Sequence, residues 1–391
     1  MSHQNKKHDW TLVAHDGHDE RHYGAVTMPI YQNSLFTFPS HDAFEAATDR
    51  FFDHYVYTRG NNPTVRHLEE RLAALEGGEA ARCFGSGMAA ITAAIMSAVK
   101  SGDHVVCVDQ VYGVTKRFLE QYLSGFGVES TFVDGTSLAA LEEAIRPNTK
   151  LLYMESPTSM RFELQDLREW VAIAKRIGAK TIIDNTWATP CYQKPLLLGV
   201  DLSVHSISKY IGGHSDIVGG VVIGSKNELK AINGNEFTLF GGIMSPQNAS
   251  LVLRGLRTLP LRMQQLQEHG LEVARFLQRQ TFVAAVHHPG LDAHPQHELG
   301  KTQMSGGGSL FSIELKLPVE QVRVWADKLD YFRIGVSWGG YESLIIATRQ
   351  SDEQKRNGTV LVRMYVGLED PVELIGDMRR SFAAAGVETM V

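Results

Sequence analysis

A single lysine, Lys209, lies in the part of this sequence best suited to chemistry. It follows an apolar, strand-like run, stands within three residues of Ser206 and Ser208, and precedes a pair of glycines. A primary amine beside small hydroxyl donors and flexible backbone suits a Schiff base to a phosphorylated aldehyde cofactor. The alternative is a lysine at a strand end that merely reaches solvent. The stretch alone leaves both interpretations open.

Other residues with possible chemistry also follow strand-like runs. Gly85-Ser86-Gly87 separates an apolar run from a helical one, a geometry that points backbone N–H groups and a helix N-terminus at a phosphate. Asp184 closes another apolar run, where a carboxylate caps a helix, contacts a ligand or pairs with a protonated pyridine nitrogen. Tyr112 is either an ordinary loop aromatic or a residue that stacks on such a ring.

The first 60 residues show few periodic signals. Glycine, proline, asparagine and aromatic residues alternate there, which predicts an extended arm that becomes ordered by docking on something else. At its end, Tyr57 and Arg59 stand beside turn residues. Either this loop is packed by its own aromatic side chains, or Arg59 supplies a rigid fork that binds phosphate.

Short apolar runs and helical patterns alternate over residues 64–205. The pattern predicts strands over 80–84, 104–108, 128–133, 150–154, 180–183 and 201–205, and helices over 64–76, 88–99, 113–124, 137–145 and 166–177. Such alternation predicts a largely parallel sheet covered on both faces. Ligands of these sheets bind at the carboxyl ends of the strands, where Glu155 also lies.

Beyond Gly220 the pattern changes. We expect a glycine-rich loop over 236–246 and one long helix over 246–279, followed by a strand over 310–315, a helix over 319–329, a strand over 360–365 and a final helix over 371–385. The sequence therefore predicts an α/β protein in three parts. These are an arm over 1–60, a domain over 61–250 and a smaller C-terminal α/β domain over 251–391.

Composition narrows the class of protein. The 391 residues are 43% hydrophobic and carry a net charge of −6 without a long basic run, so neither nucleic acid nor an anionic membrane is an expected partner. No apolar stretch is long enough to span a bilayer, and no signal segment follows the polar N-terminus. Three cysteines without CxxC spacing indicate buried free thiols in a reducing cytoplasm. The chain has sixteen histidines, nine of them clustered over 3–22 and 287–297, but without partners at ligand spacing they predict no metal site.

Several motifs in combination resemble those of one enzyme family. They are Tyr57-Thr-Arg-Gly-Asn-Asn-Pro-Thr64, Leu75-Glu-Gly-Gly78, Gly85-Ser-Gly-Met88, Asp184-Asn-Thr186, His205-Ser-Ile-Ser-Lys-Tyr210, Gly255-Leu-Arg-Thr258 and Leu361-Val-Arg-Met-Tyr-Val-Gly-Leu-Glu-Asp370. From Tyr57 onward the chain resembles the cystathionine-type trans-sulfuration enzymes of cysteine and methionine metabolism, which use pyridoxal 5′-phosphate (PLP). The resemblance implies the aspartate-aminotransferase-type fold (PLP fold type I), with a mostly parallel central sheet. It also implies a homotetramer, a dimer of dimers in which subunits share active sites.

The resemblance further implies roles for individual residues. Lys209 would form the covalent aldimine with the cofactor and shuttle protons, Asp184 would pair with the pyridine nitrogen, and Tyr112 would stack on the ring. The remaining cofactor contacts would come from Gly87, Met88, Thr186, Ser206 and Ser208, and from Tyr57 and Arg59 of a neighbouring subunit. Tyr57 and Tyr112 join Lys209 as catalytic candidates. The substrate, a sulfur amino acid, would be bound at its α-carboxylate by Arg363, with Ser337, Ser159 and Trp338 nearby.

A few positions bear on which member of the family the chain resembles. Members that act on γ-leaving groups usually carry Glu where this chain has Val336, and Asn where it has Ser159. Trp338 and Trp187 are similar to those of bacterial cystathionine β-lyases. Val336 also suits methionine γ-lyases, although those usually carry Cys at the position of Val114. The stretch 57–64 is closer to the γ-acting branch.

The expected activity is therefore a cystathionine β-lyase, which releases homocysteine, pyruvate and ammonia in methionine biosynthesis. The alternatives are a methionine γ-lyase, a cystathionine γ-lyase or synthase, and a homoserine-ester sulfhydrylase. A PLP-binding regulatory protein with residual lyase activity is a further alternative from another class.

Overall fold

Two β-sheets form the framework of the chain in the computed structural model, which describes residues 9–15, 20–347, 354 and 357–390. The seven strands of the first sheet lie in the order β1-β7-β6-β5-β4-β2-β3. They are β1 (Ala80–Phe84), β2 (His104–Val108), β3 (Glu129–Val133), β4 (Thr149–Glu155), β5 (Lys180–Asp184), β6 (Leu202–Ser206) and β7 (Gly220–Gly224). Strands β2 to β6 are parallel to their neighbours in this group. The predicted, largely parallel sheet is therefore confirmed.

Strand β7 was not predicted from the sequence. It pairs antiparallel with both β1 and β6 and is fully buried. Its five residues read Gly-Val-Val-Ile-Gly, and glycines at both ends resemble loop punctuation. The glycine at its start is needed for packing, because a Cβ on Gly220 would lie 2.3 Å from the carbonyl oxygen of Ser86.

Helices cover both faces of this sheet and join its strands. Up to residue 278 they are α1 (Asp9–Ala14), α2 (His41–Thr48), α3 (Pro63–Glu76), α4 (Gly87–Ala98), α5 (Gly113–Arg117), α6 (Leu138–Ala144), α7 (Leu167–Ile177), α8 (Thr189–Tyr192), α9 (Lys226–Ile232), α10 (Thr238–Phe240), α11 (Pro246–Arg257) and α12 (Leu259–Gln278). Helix α3 shows the local rules clearly. The Asn62 side chain caps the N–H of Thr64, and Gly77 ends the helix with a φ of 80°.

Two helix predictions were wrong in extent. The predicted helix over 246–279 is two helices, α11 and α12, separated at Thr258, because Pro260 has no N–H to donate and favours the first turn of a new helix. Because the leucines are regularly spaced across both helices, the sequence pattern predicted one continuous helix. The predicted helix over 113–124 is α-helical only through α5 and continues as a π-helical turn (Phe118–Tyr122) and a 3₁₀ turn (Leu123–Phe126).

The second sheet lies toward the C-terminus and is mainly antiparallel. Its strands are β8 (Val283–His287), β9 (Leu310–Leu315), β10 (Arg333–Ile334), β11 (Leu344–Ala347) and β12 (Val360–Tyr365), in the order β10-β11-β12-β9-β8. Helices α13 (His297–Gln303), α14 (Val319–Asp327) and α15 (Pro371–Ala384) accompany it. Its core is closed by Trp325 stacked on Phe382 at 4.3 Å between ring centroids. The domain bounds at residues 60 and 250 stay predictions.

The predicted arm contains two short helices within its described part, α1 and α2, so it is not wholly extended. Helix α1 is tied to the body of the chain by Lys194, whose Nζ donates to Asp9 Oδ1 at 3.0 Å. A 3₁₀ turn (Glu20–His22) precedes residues 23–40, which have no helix and pair only through a bridge between Leu35 and Tyr57. Among the described helices, none combines the length and apolar character needed to cross a bilayer.

The cysteines and histidines have ordinary structural partners where the structure describes them. All three cysteines are free thiols, and Cys83 and Cys107 are fully buried. In the second histidine cluster, His287 contacts Glu314 at 3.0 Å and His297 contacts Asp292 at 3.2 Å. Over residues 9–15, 20–347, 354 and 357–390, no group of three or more His, Cys, Asp or Glu residues is placed to hold a metal ion. His3, His8 and His18 lie outside these ranges.

Buried His288 predicts a pH-dependent stability. Its Nε2 donates to the Gly308 carbonyl and its Nδ1 accepts from the Gly290 N–H, both at 3.0 Å, so both ring nitrogens are satisfied in the neutral form. Burial lowers its pKa from 6.5 to about 4. Between these values the unfolded chain binds a proton that the folded chain does not. As the pH is lowered through this window, the free energy of unfolding should therefore fall by about 3 kcal/mol because of this group.

Urea unfolding at several pH values tests this, with the His288→Gln variant as the comparison. The variant should lose stability less steeply between pH 6.5 and pH 4 than the parent chain. Parallel pH profiles for the two proteins would contradict the prediction.

Candidate active site

Most of the predicted site residues line one cavity of about 630 Å³. It lies at the carboxyl ends of β4, β5 and β6 and is closed on one side by the segment between β10 and β11. The predicted residues that line it are Gly87, Met88, Tyr112, Ser159, Asp184, Thr186, Ser206, Ser208, Lys209, Ser337, Trp338 and Arg363. The two exceptions are Tyr57 and Arg59. Parallel strands bring their ends to one edge, so residues far apart in sequence converge there.

Lys209 lies in the turn that follows β6, with its amine directed to the second half of the chain. Its Nζ donates to Ser337 Oγ at 2.7 Å and lies 5.4 Å from the centre of the Trp338 ring. Burial, helped by the nearby Arg363 guanidinium, lowers the pKa of Lys209 to about 8, although the Asp184 charge opposes this. A substantial fraction of the amine is therefore neutral near physiological pH and able to act as a nucleophile.

Asp184 ends β5 as a buried carboxylate. Its Oδ1 accepts from both the N–H and the hydroxyl of Thr186, at 3.0 and 2.5 Å. Burial raises the pKa of Asp184, and the Thr186 bonds act in the opposite direction. The Thr186 oxygen in turn accepts from the Ser206 N–H at 2.9 Å. One threonine thus ties the end of β5 to the end of β6 and fixes the carboxylate at the cavity wall.

The N-terminus of α4 forms a cradle beside Ser206. A Cβ on Gly87 would lie 2.8 Å from Ser206 Oγ, so only glycine allows this approach. The Ser86 side chain caps the helix by accepting from the Ala89 N–H at 3.0 Å. Because the N-terminus of a 12-residue helix carries unpaired N–H groups, the cradle suits a phosphate. The Ser208 hydroxyl lies on the adjacent turn, held by the Gly219 N–H at 3.0 Å.

Glu155 links two of the predicted residues, Tyr112 and Ser159, by hydrogen bonds. Its Oε2 accepts from the Tyr112 N–H at 2.8 Å, and its Oε1 accepts from the Ser159 hydroxyl. Glu155 and Asp184 are direct neighbours in the β4–β5 ladder. Burial and the Asp184 charge both raise the pKa of Glu155. The sequence marked Glu155 as a strand end but gave it no role.

The wall opposite the strand ends comes from the second half of the chain. Arg363 on β12 donates from Nη2 to the Val336 carbonyl at 2.8 Å, while the Val336 side chain is 87% exposed. Gly339 has a φ of 93°, and a Cβ there would lie 2.7 Å from Lys209 Cα. This turn therefore packs directly on the backbone of the lysine. The only sequence signal for so close an approach is the pair Gly339-Gly340 itself.

Two further cavity residues escaped the sequence analysis. Ser215 has a φ of 55°, uncommon for a residue other than glycine. Its hydroxyl donates to Glu342 Oε1 at 2.6 Å. Both side chains line the outer part of the cavity, and no periodic pattern in the sequence distinguishes either of them.

Tyr57 and Arg59 lie together on another part of the surface. Arg59 donates from Nη1 to the Thr238 carbonyl at 2.7 Å, and its guanidinium carbon lies 5.8 Å from the centre of the Tyr57 ring. Tyr57 is 44% exposed. Their predicted contact with a neighbouring subunit's cofactor stays a prediction.

The cavity fits the predicted cofactor, PLP. The α4 cradle suits the phosphate, and Asp184 offers a buried carboxylate to a protonated pyridine nitrogen. Lys209 supplies an amine of lowered pKa for the aldehyde. These three groups come from three different strand ends, which makes their meeting in one cavity difficult to explain by packing alone.

Comparisons with known proteins agree with this chemistry. The sequence profile of the family described as "Cys/Met metabolism PLP-dependent enzyme" matches residues 10–383. Cystathionine gamma-lyase of Bacillus subtilis is 41% identical over 94% of this chain and 97% of its own. L-methionine gamma-lyase of Porphyromonas gingivalis is 40% identical over 94% of this chain and 95% of its own. Cystathionine beta-lyase of Lactococcus lactis is 37% identical over 95% of this chain and 98% of its own. The crystal structure of metB from Corynebacterium glutamicum superposes with a TM-score of 0.89 at 33% identity, covering 97% of this chain and 98% of that one.

Proposed function

The chain belongs to the PLP-dependent enzymes of cysteine and methionine metabolism and has their type I fold, and from this premise we propose that it is a cystathionine β-lyase. The reaction would convert cystathionine and water to homocysteine, pyruvate and ammonia. The cofactor of this family is PLP. Relatives with β- and γ-lyase names have similar identities, so the choice between these activities rests on the cavity.

The observation that carries the proposal is the segment 336–338 beside Lys209. Lys209 Nζ contacts Ser337 Oγ and lies 5.4 Å from the centre of the Trp338 ring, and we expect these groups to lie nearest to a substrate's reacting carbons. Elimination from Cβ needs one proton removed, at Cα. Elimination from Cγ needs a second, at Cβ. At position 336 the aliphatic Val336 cannot take a proton, which favours elimination from Cβ over the γ-acting members that carry Glu there. Because Val336 also suits methionine γ-lyases, those form the second candidate.

Lys209, Ser337 and Arg363 have separate roles in the proposed reaction. When bound, PLP supplies the electron sink that stabilises negative charge at the substrate Cα. Lys209 Nζ accepts the Cα proton and can return it to the leaving sulfur, and Ser337 orients that amine. Arg363 binds the substrate α-carboxylate, since a guanidinium matches a carboxylate with two hydrogen bonds.

The groups around the ring fix its position and charge. Asp184, a buried carboxylate, would hold a proton on the pyridine nitrogen of the bound cofactor. Tyr112 excludes water from one face of the ring. The α4 cradle, with Met88, Ser206 and Ser208, binds the phosphate.

A second candidate is a methionine γ-lyase. The exposed Val336 side chain stands with Ile217 and Val218 at the cavity, and this apolar wall suits a small S-alkyl group. The homoserine-ester sulfhydrylase and the cystathionine γ-lyase or synthase are the remaining enzymatic alternatives, and their products distinguish them. A regulatory PLP-binding role is the least supported, since the catalytic positions are complete.

Product analysis separates these activities. The purified enzyme loaded with PLP and given cystathionine should release pyruvate in at least about 10-fold excess over 2-oxobutyrate, because one rather than two proton transfers is required. Chromatography of the keto acids as hydrazones measures the ratio.

Two further substrates complete the test. Methionine should give little methanethiol, and an acylhomoserine with sulfide should give little homocysteine. Predominant 2-oxobutyrate from cystathionine would reject the β-lyase proposal. Rapid methanethiol release would favour the second candidate.

The assembly and location follow from the same proposal. We infer a homotetramer in which Tyr57 and Arg59 of one subunit reach the cofactor phosphate of another, since in a single chain they lie outside the cavity. The arm over 1–60 would make this contact. We also retain the prediction of a cytoplasmic enzyme.

A further inference from the structure

Glu155 is the one buried carboxylate at this cavity that the proposed mechanism does not use. Only 6% of its surface is exposed, so its buried oxygens need hydrogen-bond partners. Both oxygens have one. The Tyr112 N–H donates to Oε2 at 2.8 Å, and the Ser159 hydroxyl donates to Oε1. A single carboxylate therefore joins the loop after β2 to the loop after β4.

A second hydrogen bond joins these two loops, but the bond to Glu155 is the one that reaches Tyr112 itself. The Tyr112 residue precedes α5, and no side-chain hydrogen bond caps that helix. Its ring is 44% exposed, so packing alone does not fix its angle. Ser159 is further anchored by its N–H, which donates to the Gln110 carbonyl at 3.2 Å. The position of the Tyr112 backbone thus depends directly on Glu155.

The ladder explains why this carboxylate is well placed. Glu155 is the last residue of β4 and lies opposite Asp184, the last residue of β5. The group that binds the pyridine nitrogen and the group that holds the stacking residue are therefore adjacent on one rigid sheet. A shift of one relative to the other would tilt the ring between them.

We propose that Glu155 is a positioning residue, whose carboxylate holds the Tyr112 backbone and the Ser159 hydroxyl in one unit so that the Tyr112 ring stacks on the cofactor bound at Asp184. This rests on the cofactor placement of the proposed function. It does not depend on whether the enzyme eliminates from Cβ or Cγ.

The test compares Glu155→Ala with Glu155→Gln in the full-length enzyme. In Glu155→Ala the Tyr112 N–H loses its acceptor, and we expect the dissociation constant for PLP to rise about 10-fold, the effect of one lost hydrogen bond. The visible circular dichroism of the bound cofactor should change too, because it reports the asymmetric surroundings of the ring. Glu155→Gln keeps an oxygen for the Tyr112 N–H and should retain affinity within about threefold.

Two controls separate positioning from general destabilisation. Asp377→Asn alters another buried carboxylate that accepts backbone N–H groups, from Asp330 and Tyr331, far from the cavity. It should lower the urea midpoint without changing the circular dichroism of the cofactor. Tyr112→Ala should reproduce the spectral change of Glu155→Ala.

The outcomes are distinct from those of the product analysis. A Glu155→Ala enzyme with parental PLP affinity and an unchanged cofactor spectrum, beside a Tyr112→Ala enzyme that loses both, would overturn the inference. The keto acid released from cystathionine does not enter this decision. Failure of the β-lyase proposal is therefore recognised separately.

Discussion

The Lys209→Ala enzyme should lose the visible absorption of a covalently attached cofactor and at least about 10³-fold in kcat/KM. A positioned proton-transfer group contributes roughly 10²- to 10⁴-fold, and this lysine would also form the bond to the aldehyde. Its amine is partly desolvated and donates to Ser337 Oγ at 2.7 Å, and an alanine side chain leaves no amine at this point of the cavity. Absorption spectra, borohydride trapping and steady-state rates measure the losses.

A second lysine of the same sheet provides the matched control. Lys180 on β5 pairs with Glu228 outside the cavity, and Lys180→Ala should keep the cofactor band and most of the activity. If Lys209→Ala retained the band and turned over at a parental rate, the reactive amine would have to be sought elsewhere.

The kcat/KM of the Asp184→Asn enzyme should fall by about 10²- to 10³-fold, while the variant should still bind PLP. Asparagine keeps an oxygen for the Thr186 bonds but removes the charge that pairs with a protonated pyridine nitrogen. Removing one partner of a buried ion pair costs about 3–5 kcal/mol, and each 1.4 kcal/mol corresponds to a factor of about ten. Stopped-flow measurement of Cα–H exchange of the substrate would locate the loss in the proton-removal step.

Asp201 offers the comparison for this variant. It precedes β6 and accepts from the Thr181 N–H and hydroxyl at 2.8 and 2.7 Å, a geometry similar to that of Asp184 but outside the cavity. Asp201→Asn should reduce stability and leave the kinetics near parental. Equal kinetic losses in both variants would point to a structural rather than an electrostatic role for Asp184.

The sequence predicted the parallel part of the first sheet because each strand there is a short buried apolar run with a turn residue at its end. That same rule located Tyr112, Asp184 and Lys209, since the ends of parallel strands share one edge. This rule did not predict β7, because its antiparallel pairing depends on contacts with distant strands and leaves no pattern in its own sequence. It also failed at Thr258, where the leucine period continued through a helix break.

The part of the site that could not be predicted consists of contacts between distant segments. The bond from Ser159 to Glu155 joins residues only four positions apart, but the Tyr112 N–H that shares this carboxylate lies 43 positions away. Ser215 and Glu342 are separated by 127 positions and meet only in the folded chain. Tyr57 and Arg59 show the opposite case, since they stand out in the motif but lie outside the cavity in a single chain.

The packing of Gly339 on Lys209 also sets when the site can form. Lys209 and Ser337 are 128 positions apart. A ribosome adds roughly 5–20 residues per second, so the turn that buries the amine is made on the order of 6–25 s after the lysine itself. Until residue 337 has been made, the turn that contacts the amine does not exist, and neither does Arg363, whose charge helps to lower the pKa of Lys209. A chain ending before residue 337 would therefore present the lysine without the surroundings that lower its pKa.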